Sequence, residues 1–362
     1  DSRAYTLPLP PSDGHSADCL DFAFTLAQPT SWAPAGHPVA QCQFVLSEMA
    51  FDTVGAPEGA MSVELEGDDL VLGGENWSAT FDLTYGWLSE YDYQDAPLVC
   101  LGPQTSLWRA LTDNDQGFRS TAASSWKQRG LDRLQRQVNR CDWRATATAV
   151  EVDVEAVEAP PIVQPACVTA YRYTVYADGS IRVDVAYRFA PGLDYLPRIG
   201  TRWQLSGALD RVLYYGRGPI ENYADKHNAA FMGYYESTVA GEHVDYIRPQ
   251  ENGAHLDTHL LALCDARGLG LLFASPQAFS FSAHDYSDEA LTCAQHTHEL
   301  ERDASTWVHI DYGQDGLGSA ACGPEPLDRY RLPPVDTHLT YWVRPFERGV
   351  HDFFPYGTQL PE

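Results

Sequence analysis

Lysine is nearly absent from this sequence, and positive charge of any kind is scarce. Only Lys127 and Lys226 occur among 362 residues, and 24 lysines and arginines stand against 50 aspartates and glutamates, which gives a formal charge of −26. Nucleic acid, an anionic membrane surface and a polyanionic substrate would each be repelled by such a chain. The charge therefore favours a neutral ligand.

Several other features are missing. No apolar run approaches the ~20 residues that a membrane-spanning helix needs, and the first ten residues have none of the features of a signal peptide. The eight cysteines are scattered without a Cys-x-x-Cys pair, which in a long chain indicates reduced thiols and not a disulfide framework. A Gly-x-Gly-x-x-Gly turn and a phosphate-binding loop are absent as well. We therefore expect a cytoplasmic protein with no membrane, nucleic-acid or dinucleotide partner.

The sequence does contain strong β-strand periodicity. Residues 149–155 alternate apolar and acidic side chains, and residues 171–176 and 181–187 flank an Asp-Gly turn, the pattern most typical of a hairpin. Further strand-like segments lie at residues 21–26, 43–46, 62–65, 79–84, 268–273, 306–310 and 338–343. The fold class predicted from these patterns is nearly all β.

Helical spacing occurs only at residues 124–134, where a serine precedes the apolar positions as a candidate cap. An eight-stranded α/β barrel is excluded, because a series of crossover helices would be needed. The first ~50 residues hold about three strand-like segments, too few for a sandwich of their own. A Gly- and Pro-containing stretch at residues 55–59 places the predicted domain boundary near residue 57, which gives domains of residues 1–57 and 58–362.

Two carboxylates, Asp113 and Asp115, stand out in the segment LWRALTDNDQG at residues 107–117. Such a pair is suited to binding a hard cation or to acid–base work. We favour a turn network in which the side chains cap nearby backbone amides, because the other oxygen ligands of a calcium loop are missing.

Four segments in this order resemble the C-terminal region of β-galactosidases of glycoside hydrolase family 2. They are LWRALTDNDQG (107–117), YGRGPIENYADK (215–226), PQENG (249–253) and DYGQDGLGSAACGP (311–324). The segment SWAPAGH at residues 31–37 is similar to the end of the immunoglobulin-like domain that precedes this region in the family. The resemblance covers nearly the whole chain.

The resemblance implies an antiparallel galactose-mutarotase-like supersandwich for residues 58–362 and the second half of an immunoglobulin-like β-sandwich for residues 1–57. In the family, the catalytic glutamate pair and the Mg and Na ions lie on an α/β barrel that this sequence does not contain, so no catalytic residue and no cofactor are assigned to this chain. The implied partners are that barrel portion and a β-D-galactoside such as lactose, in a homo-oligomer. The chain alone is expected to be inactive.

One substrate-binding residue follows from the resemblance. The family's last loop reaches the active site and lines the subsite of the leaving sugar, where some members have tryptophan and others have Cys-Gly-Pro. The matching residue here is Cys322, which offers a small apolar contact in place of a stacking ring. The alternative interpretation is a small buried residue.

Histidines replace arginines that the family usually has after the PQENG segment. On a regular strand, His255, Asp257 and His259 would project to one face and could form a two-His, one-carboxylate metal site. A polar strand face is the alternative that we favour, so no metal is assigned. The pair His296 and His298 is interpreted in the same way.

Two other functions remain open at this point. An aldose 1-epimerase on the same fold would need an acid and a base at the sugar's anomeric centre, for which His227 and Glu251 are candidates. A non-catalytic carbohydrate-binding module is the other possibility.

Overall fold

In a computed structural model, which describes residues 4, 6, 8, 18–162 and 164–362, the chain is mostly antiparallel β structure. The first-ten-residue segment on which the prediction of no signal peptide rests lies largely outside the described residues. The strands are β1 (Cys19–Thr25), β2 (Pro38–Val45), β3 (Asp52–Val54), β4 (Ser62–Glu66), β5 (Asp69–Gly73), β6 (Trp77–Asp82), β7 (Trp87–Tyr93), β8 (Ala96–Ser106), β9 (Gln135–Ala145), β10 (Ala149–Ala159), β11 (Cys167–Tyr176), β12 (Ile181–Phe189), β13 (Arg198–Ser206), β14 (Arg211–Gly218), β15 (Phe231–Thr238), β16 (His255–Cys264), β17 (Leu269–His284), β18 (Ser305–Gln314), β19 (Thr337–Glu347) and β20 (Gln359–Pro361). The helices are α1 (Ala122–Arg129), α2 (Val239–Glu242), α3 (Asp288–Cys293) and α4 (Phe353–Thr358), with 3-10 turns at Leu131–Arg133, Thr297–Glu299 and Asp328–Tyr330.

In the part of the chain that the structure describes, sixteen strands form one large sheet. Its main path runs β4-β5-β6-β7-β8-β13-β18-β17-β19-β12-β11-β10-β9, and β14, β15 and β16 branch from β17. The branch exists because β17 is long: β19 pairs with its first half, β18 pairs with its second half, and β16 pairs with residues in both halves. The antiparallel all-β architecture predicted from the sequence is confirmed, and it places β13, β17 and β18 at the centre of the sheet.

The alternating sequence patterns produce half-buried strands. In β10, Val150, Val152 and Val154 are buried while the acidic residues between them are partly exposed, as a period of two requires. The predicted hairpin is β11 and β12, joined through Gly179 with φ of +84°, a conformation that glycine adopts without strain. The other predicted strand segments fall on strands, and the inward residues of those in the large sheet contribute to a large apolar core and to a second, smaller apolar cluster.

The helix prediction was partly wrong. The predicted segment 124–134 is α1 followed by a 3-10 turn, but the N-cap is Thr121 and its side chain makes no capping hydrogen bond. Gly130, with φ of +72°, ends α1. Three additional helices of four to six residues were missed, because so few residues cannot show a period of 3.6. No helix in the described part of the chain is both long and apolar enough to span a bilayer.

The hairpin of β1 and β2 stands apart from the large sheet. Within the described residues its two strands pair only with each other. Gln43 joins the hairpin to β15, since its side chain accepts from and donates to the backbone of Met232 at 2.7 and 2.8 Å. Phe24 and Phe44 remain 60% and 56% exposed. The boundary at residue 57 and the immunoglobulin-like origin of this hairpin stay predictions.

Candidate functional site

The four motif segments meet in space although they are far apart in sequence. Residues 107–117 follow β8, residues 215–226 cover the end of β14 and the loop after it, residues 249–253 lead into β16, and residues 311–324 continue from β18. Two buried arginines, Arg109 and Arg198, and several hydrogen bonds to backbone groups connect these segments. The sequence alone did not predict this network, because its central residue lies outside all four segments.

Arg198, at the start of β13, is the centre of the network and is fully buried. Its Nη2 donates to both carboxylate oxygens of Glu251 at 3.0 Å. Its Nε lies 3.0 Å from Asp311 Oδ2, and its Nη1 lies 3.5 Å from Asp288 Oδ1. One guanidinium group therefore serves three buried carboxylates, a geometry that suits the planar, five-donor side chain of arginine.

Burial and charge set the protonation of these groups. Burial raises the pKa of Glu251 and that of Asp311, against the lowering effect of Arg198. Burial also favours the neutral form of Asp288, but the interaction with His309 and the charge of Arg198 lower the pKa of Asp288 below its ordinary range. Burial and the neighbouring Arg198 lower the pKa of His309 to about 4. His309 is therefore neutral near pH 7.

Arg109 is a second buried guanidinium group, and it binds Asp115. Its Nε and Nη2 donate to the two oxygens of Asp115 at 3.2 and 2.8 Å, a bidentate pair. Asp115 also accepts from the backbone amide of Thr112 at 3.0 Å. The neighbouring Asp113 faces a different partner, Gln250, whose Nε2 lies 3.3 Å from its Oδ2. The turn network favoured from the sequence is confirmed for Asp115, which caps the Thr112 amide, whereas the Asp113 carboxylate accepts from the side chain of Gln250.

Two motif side chains hold the last loop, the segment 315–324 that follows β18 and carries Cys322. Asn114 donates to the carbonyl of Gly318 at 2.9 Å and accepts from the amide of Ala321 at 3.1 Å. Asp225 accepts from the amides of Leu317 and Gly318 at 2.9 and 2.7 Å. Asn114 and Asp225, each from a different motif segment, therefore anchor the backbone of the last loop.

Cys322 is exposed at the tip of that loop. The tip is a closed turn, because the Cys322 amide donates to Ser319 O and the Ser319 amide donates to Pro324 O, both at 3.0 Å. Gly117 packs against the turn so closely that an added Cβ would lie 2.2 Å from Ala320 O. The alternative of a buried cysteine is wrong. Whether Cys322 contacts a sugar stays a prediction.

Ion pairs connect the two ends of the segment that contains the Cys322 turn. Arg331 contacts Asp315 at 3.0 Å and Glu325 at 2.8 Å. Glu325 in turn accepts from the backbone amide of Thr121 at 2.7 Å, which ties the loop to the start of α1. A cavity of about 400 Å³ opens beside these residues, with Tyr195 at its wall. The last loop is thus fixed on two sides.

Glu221, in the second motif, organises the loop after β14. It accepts from Lys226 Nζ at 2.7 Å, from the Gly253 amide at 3.0 Å and from the hydroxyl of Tyr246. Burial alone would raise its pKa, but the hydrogen bonds from Lys226 and Tyr246 lower that pKa below its ordinary value. Glu221 is therefore ionised, and its carboxylate joins the loop after β14 to Tyr246 and to the Gly253 backbone.

The expectation that His255, Asp257 and His259 share one strand face is wrong. The register of β16 against β17 shifts within this segment, and Asp257 has φ of +50°, so the period of two is interrupted. His255 is buried against Glu242, Asp257 is exposed, and His259 Nδ1 donates to Ser275 O at 3.0 Å. The three side chains do not converge on one point.

The remaining candidates are placed as follows. His296 and His298 lie close together on an exposed turn with Glu299. Glu251 is 5% exposed and has both oxygens on Arg198, whereas His227 lies on a half-exposed loop. Glu251 is therefore not free to act as a base on a sugar that arrives from solvent, which removes the residue-level support for an epimerase.

Comparison with known proteins gives a consistent set of relatives. A family model described as β-galactosidase small chain matches residues 73–344. A β-galactosidase of an Arthrobacter species is 31% identical over an alignment that covers 95% of this chain and 35% of that protein. A β-galactosidase of Actinobacillus pleuropneumoniae is 35% identical, covering 63% of this chain and 22% of that protein. The chain thus spans about a fifth to a third of the length of these relatives.

Among solved structures, the chain is similar to a mutarotase homologue from Salmonella typhimurium, with a TM-score of 0.36, 9% identity, and coverage of 82% of this chain and 97% of that one. It is also similar to an aldose 1-epimerase homologue from Escherichia coli K12, with a TM-score of 0.38, 10% identity, and coverage of 80% and 99%. The fold assignment above is carried by strand order and register, not by these distant similarities.

Proposed function

The chain belongs to the β-galactosidase small-chain family, and from this premise we propose that it is the non-barrel portion of an enzyme that hydrolyses terminal β-D-galactosides such as lactose. The observation that carries the proposal is that contacts from the other three motif segments converge on the segment that carries Cys322. Arg198 joins Glu251 to Asp311, Arg109 donates to the backbone of residues 315 and 316, and Asp225 accepts from the amide of Leu317, while Cys322 is exposed. In this proposal the turn shapes the outer subsite, where the leaving sugar binds.

The proposal places the catalytic carboxylates elsewhere. A retaining glycosidase needs two carboxyl groups about 5 Å apart that reach the sugar from both sides. The carboxylates that the motifs bring together are instead buried on guanidinium groups: Asp115 on Arg109, and Glu251 and Asp311 on Arg198. We therefore propose that the nucleophile and the acid/base lie on a barrel portion outside this sequence, which is the partner; the family resemblance implies that the Mg and Na ions lie there too.

Cys322 sets the character of the proposed subsite. A tryptophan would give the leaving sugar a flat aromatic face, whereas a cysteine thiol gives a small contact. The turn that holds Cys322 is fixed by Asn114 and Asp225, so the thiol is presented in a defined position. We infer weaker retention of the leaving sugar, and hence more hydrolysis and less transfer, than a tryptophan would give.

Assembly is the second part of the proposed role. The hairpin of β1 and β2 exposes Trp32, Phe24 and Phe44. Among the described residues its outer strand edges have no partner strand, and such edges favour further pairing. We propose that residues 1–57 complete an immunoglobulin-like sandwich with chain that precedes them in the complete enzyme, and that the complete enzyme is a cytoplasmic homo-oligomer.

The test is Cys322→Trp in the complete enzyme. We expect the ratio of transfer to hydrolysis products from lactose to rise and added glucose to become a better acceptor, because the new ring stacks on the leaving sugar. Cys100→Trp is the matched control, since Cys100 is also exposed but lies on β8 away from the last loop. Equal product ratios and equal acceptor effects in both variants would contradict the subsite assignment.

A further inference from the structure

The turn between α3 and β18 brings three metal-binding side chains together at the surface. His296, His298 and Glu299 each offer a donor atom, and these atoms all lie within 4.8 Å of one another. Among the residues that the structure describes, this is the one such cluster of three histidine, cysteine or carboxylate side chains. We propose that it binds one transition-metal dication of the zinc class.

The backbone determines why these residues converge. Thr297–Glu299 is a 3-10 turn that begins at His296, so the side chains of residues 296 and 299 lie on the same side, one turn apart. The imidazole rings of His296 and His298 are nearly parallel, at 22°, with centroids 5.4 Å apart. Two imidazoles and a carboxylate are thus presented by four consecutive residues.

Glu299 is oriented for this role. Its Oε2 accepts from the backbone amide of Gln295 at 2.8 Å, while its Oε1 lies 2.8 Å from His296 Nδ1. A ligand whose second oxygen is held by a backbone hydrogen bond is the usual arrangement around protein-bound metals. The metal would take the place of the proton between Glu299 and His296.

The required movement is small. Zinc lies 2.0–2.2 Å from imidazole nitrogen and carboxylate oxygen, so tetrahedral ligand atoms stand about 3.3 Å apart. The present limit of 4.8 Å closes by rotation of side chains that are all exposed, and such rotations meet no packed core.

The donor set selects the class of metal. Imidazole nitrogens favour Zn²⁺, Co²⁺, Ni²⁺ and Cu²⁺, whereas Mg²⁺ and Ca²⁺ prefer all-oxygen sites. With three protein ligands, the remaining positions fall to water, as in open zinc sites. The formal charge of −26 further favours a cation at the surface. The bound metal would fasten the loop that connects α3, which carries Asp288 of the Arg198 network, to β18.

The experiment is calorimetric titration of Zn²⁺ into the 362-residue chain after alkylation of its thiols, which removes the exposed cysteines as competing ligands. We expect saturable binding of one ion per chain. His298→Ala should weaken the binding at least about 100-fold, because loss of a ligand exceeds the 10–100-fold cost of disturbing a group behind one. His338→Ala is the matched control, since His338 is a comparably exposed histidine on β19, and should bind like the parent chain.

A second variant and a second readout keep the test decisive. Glu299→Gln preserves an oxygen for the Gln295 amide and removes the carboxylate, so it should weaken Zn²⁺ binding without altering the circular dichroism spectrum. Co²⁺ should give the intense visible bands of a tetrahedral site in the parent chain and in His338→Ala only. The proposal is overturned if no saturable Zn²⁺ binding is found, if the variants bind as tightly as the parent, or if Mg²⁺ binds equally well.

Discussion

Replacing Arg198 with methionine should destabilise the protein severely. The substitution keeps much of the side-chain length but removes the positive charge from Glu251 and Asp311, which are 5% and 0% exposed. Loss of one partner from a buried ion pair costs about 3–5 kcal/mol, because the other charge is left buried and uncompensated. Two carboxylates lose their guanidinium group here, so we expect a loss of at least about 4 kcal/mol.

Urea unfolding followed by tryptophan fluorescence measures the effect. With a slope of about 3 kcal/mol per M, at the upper end for small proteins, the midpoint should fall by roughly 1 M. The loss should be smaller at pH 5 than at pH 8. In the parent, Arg198 lowers the pKa of both carboxyls against the raising effect of burial. The variant lacks this lowering effect, so its folded state holds the two protons more tightly than the parent does, and the stability that protonation supplies at low pH is lost as the pH rises.

Arg172→Met is the control. Arg172 pairs with Asp153 at 2.7 Å, but its side chain is 51% exposed, and an exposed pair contributes at most about 1 kcal/mol. If Arg198→Met lowers the urea midpoint no more than Arg172→Met does, the network around Arg198 does not hold the motif segments together.

Two further predictions concern the last loop and the dependence of stability on acid. Gly117→Ala should destabilise the protein and displace the last loop, because the new Cβ would lie 2.2 Å from Ala320 O, whereas Gly55→Ala meets nothing within 4 Å and should be neutral; equal urea midpoints for both variants would contradict this. Burial and the neighbouring His243 lower the pKa of His284 to about 3. Below about pH 6.5 this histidine is protonated in the unfolded state but stays neutral in the folded state, so the free energy of unfolding decreases as the pH falls. His284→Gln should therefore show a smaller drop in urea midpoint between pH 7 and pH 4 than the parent, and an unchanged drop would refute the assignment.

The fold was predictable where burial is one-sided. A strand such as β10, with Val150 and Val152 inside and acidic residues outside, has a period of two that the sequence displays directly. The same is true of the β11–β12 hairpin, whose Asp178-Gly179 turn has few alternatives. The short helices lack this signal, because they are shorter than the window over which helical periodicity is measurable.

The candidate site was only partly predictable. The four motifs were found by their resemblance to a family, and their convergence follows from contacts that no local pattern encodes. Arg198 is 53 residues from Glu251 and lies in a strand that the sequence patterns did not indicate. The expectation that His255, Asp257 and His259 share one face of β16 was wrong, because Asp257 adopts φ of +50° where a regular strand was assumed. Such an interruption depends on pairing with β17, which is decided at long range.

The most direct test of the central claim is hydrolysis of a chromogenic β-D-galactoside by this chain alone, produced in a host that lacks its own β-galactosidase. We expect no turnover above the buffer blank, because the carboxylates that the motif segments bring together are buried in ion pairs with Arg109 and Arg198. Turnover that follows the purified chain would contradict it, since two carboxyl groups of this chain would then form a catalytic site that we have interpreted as structural.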